Sequence, residues 1–589
     1  MGVRPTFGLV DYCVFGATLL LSLLIGVYHA VRGKQTNEDL LLGGRSMSVL
    51  PVAVSIMVSF LSAILILGSP AEMYMNGVQY WICNTAFFVI LPAVAYLFLP
   101  IFYRCGVTSV YEYLHYRFDN RLLRTLCVLV YLLRTSLYMA IALYAPSLAL
   151  SFVTGLPLWI AIVGSAAVGT LYTAFGGLKA VVWADVLQAA IMAAGMIAMI
   201  VQGAINVGGF TNIFTINAEH QRMTFFDFTL NPWQRHNFWN LFFGTLFLWT
   251  TVFGVNQTSI QRYISLPTLK AARIACLLNA PATVLYTTLA CLTGLAIFAT
   301  YAECDPLKVG LVEKKDQLVP YFVLDQMSYL TGLPGLFVAC IMSGALSTIS
   351  SGLNSLAAIT WQDFISNIAM FQNMTEVAKS WVTRIISLLY GVMAVGLAFL
   401  VSKFGGVLQA SLAINGALSG PVLGVFSLGL FIPFANGKGA VVGMLSASAL
   451  SMWAVFGAYG SGKRPAPLPT STAGCNVTVV SLSTPLPTEL TTPVPTGLPE
   501  EDSWIDQYVY GISYQLYNML GCLLCVIIGS IVSLLTGCND REVNKSLVNP
   551  LAYKLLNWVN CCRRDSSDAK YAADNPIFTM STYKQTAAD

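Results

Sequence analysis

A row of small and hydroxyl-bearing residues, Gly344, Ser347, Thr348, Ser351, Asn354 and Ser355, runs through the otherwise apolar stretch SGALSTISSGLNS. The i, i+3, i+4, i+7 spacing puts all six on one helix face. Small residues at this spacing let two membrane helices pack closely; neighbouring hydroxyls such as Ser347 and Thr348 are also hard oxygen donors suited to Na⁺. A second stretch, PVAVSIMVSFLSAILILGSPAEMYMNG at 51–77, carries Gly68, Ser69, Pro70 and Glu72 where a spanning helix is expected. Proline lacks an N–H, so the helix is expected to break there and free backbone carbonyls. Such a break either forms an ion site with the hydroxyl stripe or is a simple kink at the membrane edge.

Three ionisable residues fall inside apolar runs, Glu72, Arg134 and Asp185, a placement that is costly and usually functional. Asp185, about two turns into its run, could bias a nearby cation. Arg134 lies four residues before Tyr138 and shares its face; it could grip a carboxylate bidentately or reach to the membrane interface. Of the aromatic group Phe242, Phe243, Phe247, Trp249 and Phe253, most are expected to meet lipid or core. No nucleophile and base at plausible spacing, no phosphate loop and no dinucleotide fingerprint argues for an enzyme. The histidines and cysteines lack zinc spacing, and no cofactor is expected.

These residues sit in a polytopic membrane protein. Of 589 residues 56% are hydrophobic and 10% charged, against roughly 25% charged in soluble domains. A net charge of +4 spread over such a chain gives no basic footprint for nucleic acid. The partner is the lipid bilayer. Apolar runs long enough to span it start near 10, 48, 79, 123, 156, 180, 236, 274, 335, 380, 405, 437 and 510, about thirteen crossings, and the first is read as a retained helix. Arg32, Lys34, Arg45, Arg104, Arg117, Arg121, Arg124, Lys179, Arg262, Lys270, Arg273 and the tail fall on alternate loops, which predicts an extracellular N-terminus and a cytoplasmic C-terminus.

This orientation places the sequon at Asn476 outside, where it is expected to be glycosylated, while those at Asn256, Asn373 and Asn544 are expected unmodified. Cys304 and Cys475 fall in external polar loops where a disulfide can persist, and Cys561 and Cys562 are either palmitoylated or idle. The chain divides into a membrane region (1–460), a Pro/Thr/Ser-rich external loop expected to be disordered and glycan-bearing (461–509), a last crossing (510–536) and a flexible tail (537–589).

The segments SFLSAILILGSPAEMYMNGVQYW, YEYLHYRF, LYAPSLALSFVTGL, YTAFGGLKAVVWADVLQ, FGVNQTSIQRYIS and SGALSTISSGLNS, in this order within residues 8–540, resemble the sodium:solute symporters, which include iodide, multivitamin, monocarboxylate, choline and glucose transporters. The resemblance implies an all-α, LeuT-like core of two inverted five-helix repeats, crossings two to six and seven to eleven. It implies a Na⁺ site made by the hydroxyls of Ser347 and Thr348, the carbonyl of Gly344 and backbone oxygens near Ile66 and Ser69, with Asp185 matching an aspartate near the ion. Tyr138 and Trp249 match aromatic gate positions. Asn256 before Gln257 looks unlike the sugar carriers, and Leu65 stands where the iodide transporter has a polar Gln.

The reading is a plasma-membrane symporter coupling Na⁺ to uptake of a small organic anion, such as a monocarboxylate, biotin or pantothenate. Its rivals are an iodide or other inorganic-anion carrier, a passive channel and a transport-dead ligand sensor on the same scaffold.

Overall fold

The computed structural model describes residues 7–32, 36–402, 407–460, 467–475, 504–537 and 545–552. Among these the regular structure is helical throughout: α1 (Leu9–Arg32), α2 (Val49–Phe60), α3 (Ala63–Asn76), α4 (Val78–Cys105, with 3-10 and π turns), α5 (Arg121–Thr154), α6 (Leu158–Asn206), α7 (Phe238–Thr250), α8 (Gln257–Ile264), α9 (Leu269–Thr300), α10 (Leu333–Ile359), α11 (Glu376–Ser402), α12 (Val407–Phe431), α13 (Gly437–Gly460) and α14 (Tyr517–Leu535).

Among the described residues ten helices are long and apolar enough to cross a bilayer, or eleven when the bent pair Asn37–Arg45 and Val49–Phe60 counts as one. Three features account for the difference from the thirteen expected. Helix α6 has 49 residues and kinks at Gly177, whose φ of 62° belongs to the left-handed region that glycine enters freely. Its rise of about 73 Å is two crossings of a roughly 30 Å core. The crossing from Val49 to Asn76 is split into α2 and α3, and α12 (Val407–Phe431), at 25 residues, is long enough to cross as well.

The split in α2/α3 lies at Leu61–Ser62, not near Pro70 as the proline suggested. The Ser62 hydroxyl caps α3 by accepting the Ile64 N–H at 3.2 Å, so the new helix starts at the serine. Pro70 is carried inside α3, where it packs against Gly294 of α9, close enough that any side chain at 294 would collide with it. The matching crossing of the second repeat is also broken: a π turn at Thr251–Val255 ends at Asn256, whose side chain accepts the Thr258 N–H at 2.9 Å and starts α8.

Helix α10 is the centre of the bundle, with 94% of its spanning window buried against α6, α5, α2 and α3. The extra first helix packs on α6 and α10, and its Asp11 carboxylate accepts the N–H groups of Gly332 and Gly335 at 3.0 and 3.1 Å, capping α10. At one end of the bundle, the basic end, Arg117 is buried and donates to the carbonyls of Gly429, Ile432 and Pro433, closing the C-terminus of α12.

The opposite end carries the Cys304–Cys475 disulfide. Residues 467–475, within the stretch expected to be disordered, form an ordered strap there. Leu468 N–H bonds the Met75 carbonyl, Thr470 donates to Asp305, and Gly474 N–H bonds the Glu303 carbonyl. Polar composition alone predicts disorder; the disulfide and these bonds to α3 and its neighbours override it. Asn476, Asn544, Cys561 and Cys562 lie outside the described residues.

Candidate functional site

Both helix breaks face the hydroxyl stripe of α10. Gly344 packs on the Ser62–Ala63 peptide so closely that a methyl group there would stand 2.8 Å from Ala63 N, which is why the position holds a glycine. One turn on, Thr348 Oγ1 donates to the carbonyls of Gly344 at 3.1 Å and Ser59 at 3.3 Å. Ser347 Oγ and Asp185 Oδ1 are both fully buried and stand beside each other, with no further partner among the described residues. Hydroxyl, carboxylate and carbonyl oxygens thus converge beside a helix break, two of them with nothing to bind but each other. The chemistry available is coordination of a hard monovalent cation.

Ser347, Thr348, Gly344 and Asp185 are therefore brought together. Ile66 and Ser69 are not: both lie in α3, past the break. Ile66 is buried in an apolar cluster with Met57 and Leu61, and Ser69 lines the cavity described below. The backbone that meets the stripe is that of Ser59, Ser62 and Ala63, because the break falls earlier than the proline implied.

Asp185 is not a lone charge. Its Oδ2 accepts the Ser55 hydroxyl at 2.5 Å and stands 3.4 Å from Arg262 Nη2. Arg262 is 1% exposed and spends every nitrogen: Nε on Ser55 Oγ (2.8 Å), Nη1 on the Thr258 carbonyl (3.0 Å) and Nη2 on Ser351 Oγ (2.5 Å). Counted by sequence among the basic loop residues, Arg262 is instead a core residue that α8, starting at the second break, delivers to the middle of the bundle. Ser55 and Ser59, one turn apart on an apolar helix, are the legible sequence signal for this seam.

On the other side of the stripe a cavity of about 460 Å³ opens toward the disulfide end. Tyr138, whose hydroxyl donates to Ser62 Oγ at 3.1 Å, lines it with Leu65, Trp249, Asn256 and Arg134. Trp249 stacks on Phe253 (centroids 5.5 Å apart), which is itself core. Arg134 donates from Nη1 to Ser419 Oγ at 2.6 Å and lies over the Tyr131 ring, and no acidic side chain among the described residues pairs with it.

At the mouth, Glu72 is held by Arg235 through Nε (2.9 Å) and Nη2 (3.0 Å), by Asn76 (2.7 Å), and at longer range by His236 and Lys315. Burial pushes His236 down to about 4, so it is neutral at physiological pH. The basic end is closed beneath the stripe by Leu41, Leu42, Ala358 and Trp361.

Comparison with known proteins agrees with this architecture. Residues 40–447 match the sodium:solute symporter family. The chain is 41% identical to sodium-coupled monocarboxylate transporter 1 of Xenopus laevis, covering 97% of this chain and 96% of that one. It is 41% identical to the sodium-dependent multivitamin transporter of Oryctolagus cuniculus, covering 94% and 87%. A solved structure of a Na⁺-coupled sialic acid symporter, substrate-bound and outward-open, superposes with a TM-score of 0.74 at 24% identity over 91% of this chain and 100% of that one. The two broken crossings, the hydroxyl stripe between them and these matches together identify the chain as a member of the sodium:solute symporter family, a multi-pass transporter with the LeuT-like fold and not an enzyme.

Proposed function

We propose that this sodium-coupled symporter takes up a small organic anion, a monocarboxylate or a carboxylate vitamin such as biotin or pantothenate, across the plasma membrane. The observation that carries the reading is Arg134: a guanidinium lining the cavity with a hydroxyl and an aromatic ring for company and, among the described residues, no counter-charge. An uncompensated cation at membrane depth is costly, and a planar carboxylate satisfies it bidentately. The names of the relatives point to the same substrate class. Leu65 on the wall leaves that side of the cavity apolar.

The coupling ion is assigned to Ser347, Thr348, Asp185 and the carbonyls of Gly344 and Ser59. An ion there draws the two half-helices against α10 and favours the state open at the disulfide end, so Na⁺ and anion raise each other's affinity by reciprocal linkage. One charge moved through the field contributes about 2.3 kcal/mol per 100 mV. The disulfide end is taken as extracellular, since disulfides persist in oxidising surroundings and basic loops favour the cytoplasm.

The test is whole-cell current and radiolabel uptake with lactate, nicotinate, biotin, pantothenate and iodide, in Na⁺ and then in choline. Na⁺-dependent uptake of at least one organic anion is expected. Its absence for all of them, with surface expression verified, sinks the reading.

A further inference from the structure

The cavity has a second lobe that the ion site and Arg134 do not use. There Gly416 of α12 faces Tyr517 of α14, and Val455 and Ala458 of α13 with Tyr510, just ahead of α14, complete an apolar wall. Tyr510 sits directly on Gly457 of α13, where any side chain would collide with its ring. The lobe is continuous with Arg134. Ser419, which accepts the Arg134 bond, lies three residues from Gly416 on the same face of α12, about 4.5 Å of helix rise away.

Gly416, Gly420 and Gly424 recur every four residues and form one edge of α12, turned toward α14. At two of them the glycine serves packing, because a Cβ on Gly420 would stand 2.5 Å from the Asn518 carbonyl oxygen and one on Gly424 2.5 Å from Cys525 Cβ. Such close approach at small residues is how membrane helices associate. At Gly416 the two helices have parted. A Cβ there would meet nothing nearer than Tyr517 Cβ at 3.8 Å, so packing does not call for a glycine. Glycine inside a helix is destabilising relative to alanine, and what it leaves here is space in a cavity that also holds Arg134.

We propose that Gly416 is a specificity-determining residue: its missing side chain keeps the lobe open for the apolar tail, alkyl or aryl, of a substrate whose carboxylate lies on Arg134. The inference rests on the organic-anion reading above. It narrows the class to carboxylates with one extended apolar end, and it gives the last two crossings, which follow the ten-helix core, a part in recognition.

The experiment compares Na⁺-dependent uptake of hexanoate, long enough to enter the lobe, with that of acetate, which is not, in the full-length wild type and in Gly416→Ala, Gly416→Leu and Ala458→Leu. The wild type should half-saturate with hexanoate at least about tenfold below acetate, since each buried methylene is worth about fourfold in affinity. Gly416→Leu should raise the hexanoate value about tenfold, the worth of two methylenes expelled from the lobe, and leave acetate unchanged. Gly416→Ala should raise it less. Ala458→Leu, which fills the same lobe from the opposite wall, should repeat the Gly416→Leu pattern and decides the matter if that variant fails to reach the surface; acetate uptake shows that each variant folds. Equal effects on both substrates, or none on either, overturn the assignment. So does a wild type that takes up organic anions without preferring hexanoate to acetate, while leaving the organic-anion reading standing; a wild type that carries no organic anion overturns both.

Discussion

Two of the arginines within this bundle, Arg262 and Arg134, are built in opposite ways. Arg262 is sealed from solvent, faces a carboxylate and has an acceptor for each nitrogen. Arg134 borders an open cavity and, among the described residues, has one hydroxyl partner and pairs with no carboxylate. A buried charge that is fully partnered is part of the fold, because removing either member leaves the other stranded. A charge left short of partners beside a cavity is stable only if something enters to complete it. On the proposed function, the difference separates the residues that hold the two repeats together from the surface offered to the solute.

The largest effect should come from disturbing the completed charge. Arg262→Met leaves Asp185 buried and unpaired, a loss of about 3–5 kcal/mol; surface abundance measured by biotinylation should collapse, and Asp185→Asn in the same chain should restore part of it. Full abundance of Arg262→Met alone would break the comparison. Arg134→Gln should behave oppositely, with normal surface abundance and a half-saturating anion concentration raised about 10–100-fold, the worth of a charge-assisted hydrogen bond or two. Arg134→Lys should fall between, keeping charge but not the planar fork. Next in size is the ion site. Thr348→Ala should raise half-saturating Na⁺ about tenfold, an effect of about 1.4 kcal/mol, while Thr348→Ser, which keeps the hydroxyl, should leave it near the wild-type value.

How far the sequence displays this arrangement depends on where each signal is stored. The spanning helices are legible because twenty apolar residues in a row have few other uses, and the hydroxyl stripe is legible because its spacing is local. The second helix break is not legible, although Asn256 has the side chain of a helix N-cap, because nothing local distinguishes a cap inside a membrane from a polar substitution. For the first, Pro70 points to the wrong place because proline signals a missing bond, whereas the break goes where a serine can cap and a neighbour such as Gly344 can approach. Arg262 is hidden for a related reason: charge next to a loop is ordinarily solvated, and only the fold shows that α8 turns it inward toward an aspartate 77 positions away.

The smallest predicted effect lies between the two arginines in kind. At the basic end, Glu112 is buried with one carboxylate oxygen unpartnered, near Asp363, which Arg124 pairs at 2.5 Å. Burial pushes the Glu112 carboxyl up to about 7, Asp363 adding to the rise and Arg124 opposing it; Gln362 and Thr108 donate to it. With the folded value above the ordinary one, the native state binds the extra proton between about pH 4.5 and 7, so the stability this group contributes is full below about 4.5 and is lost as pH rises through 7. From pH 6 to 8 the loss is roughly 1.4 kcal/mol, a fall of about 2 °C in the Tm of purified protein. Glu112→Gln, neutral at every pH, should remove that component of the pH dependence and hold Tm at pH 8 near its value at pH 6. If the variant keeps the full wild-type slope, this partly partnered charge is as well compensated as Arg262, and burial beside a like charge is not what distinguishes the basic end.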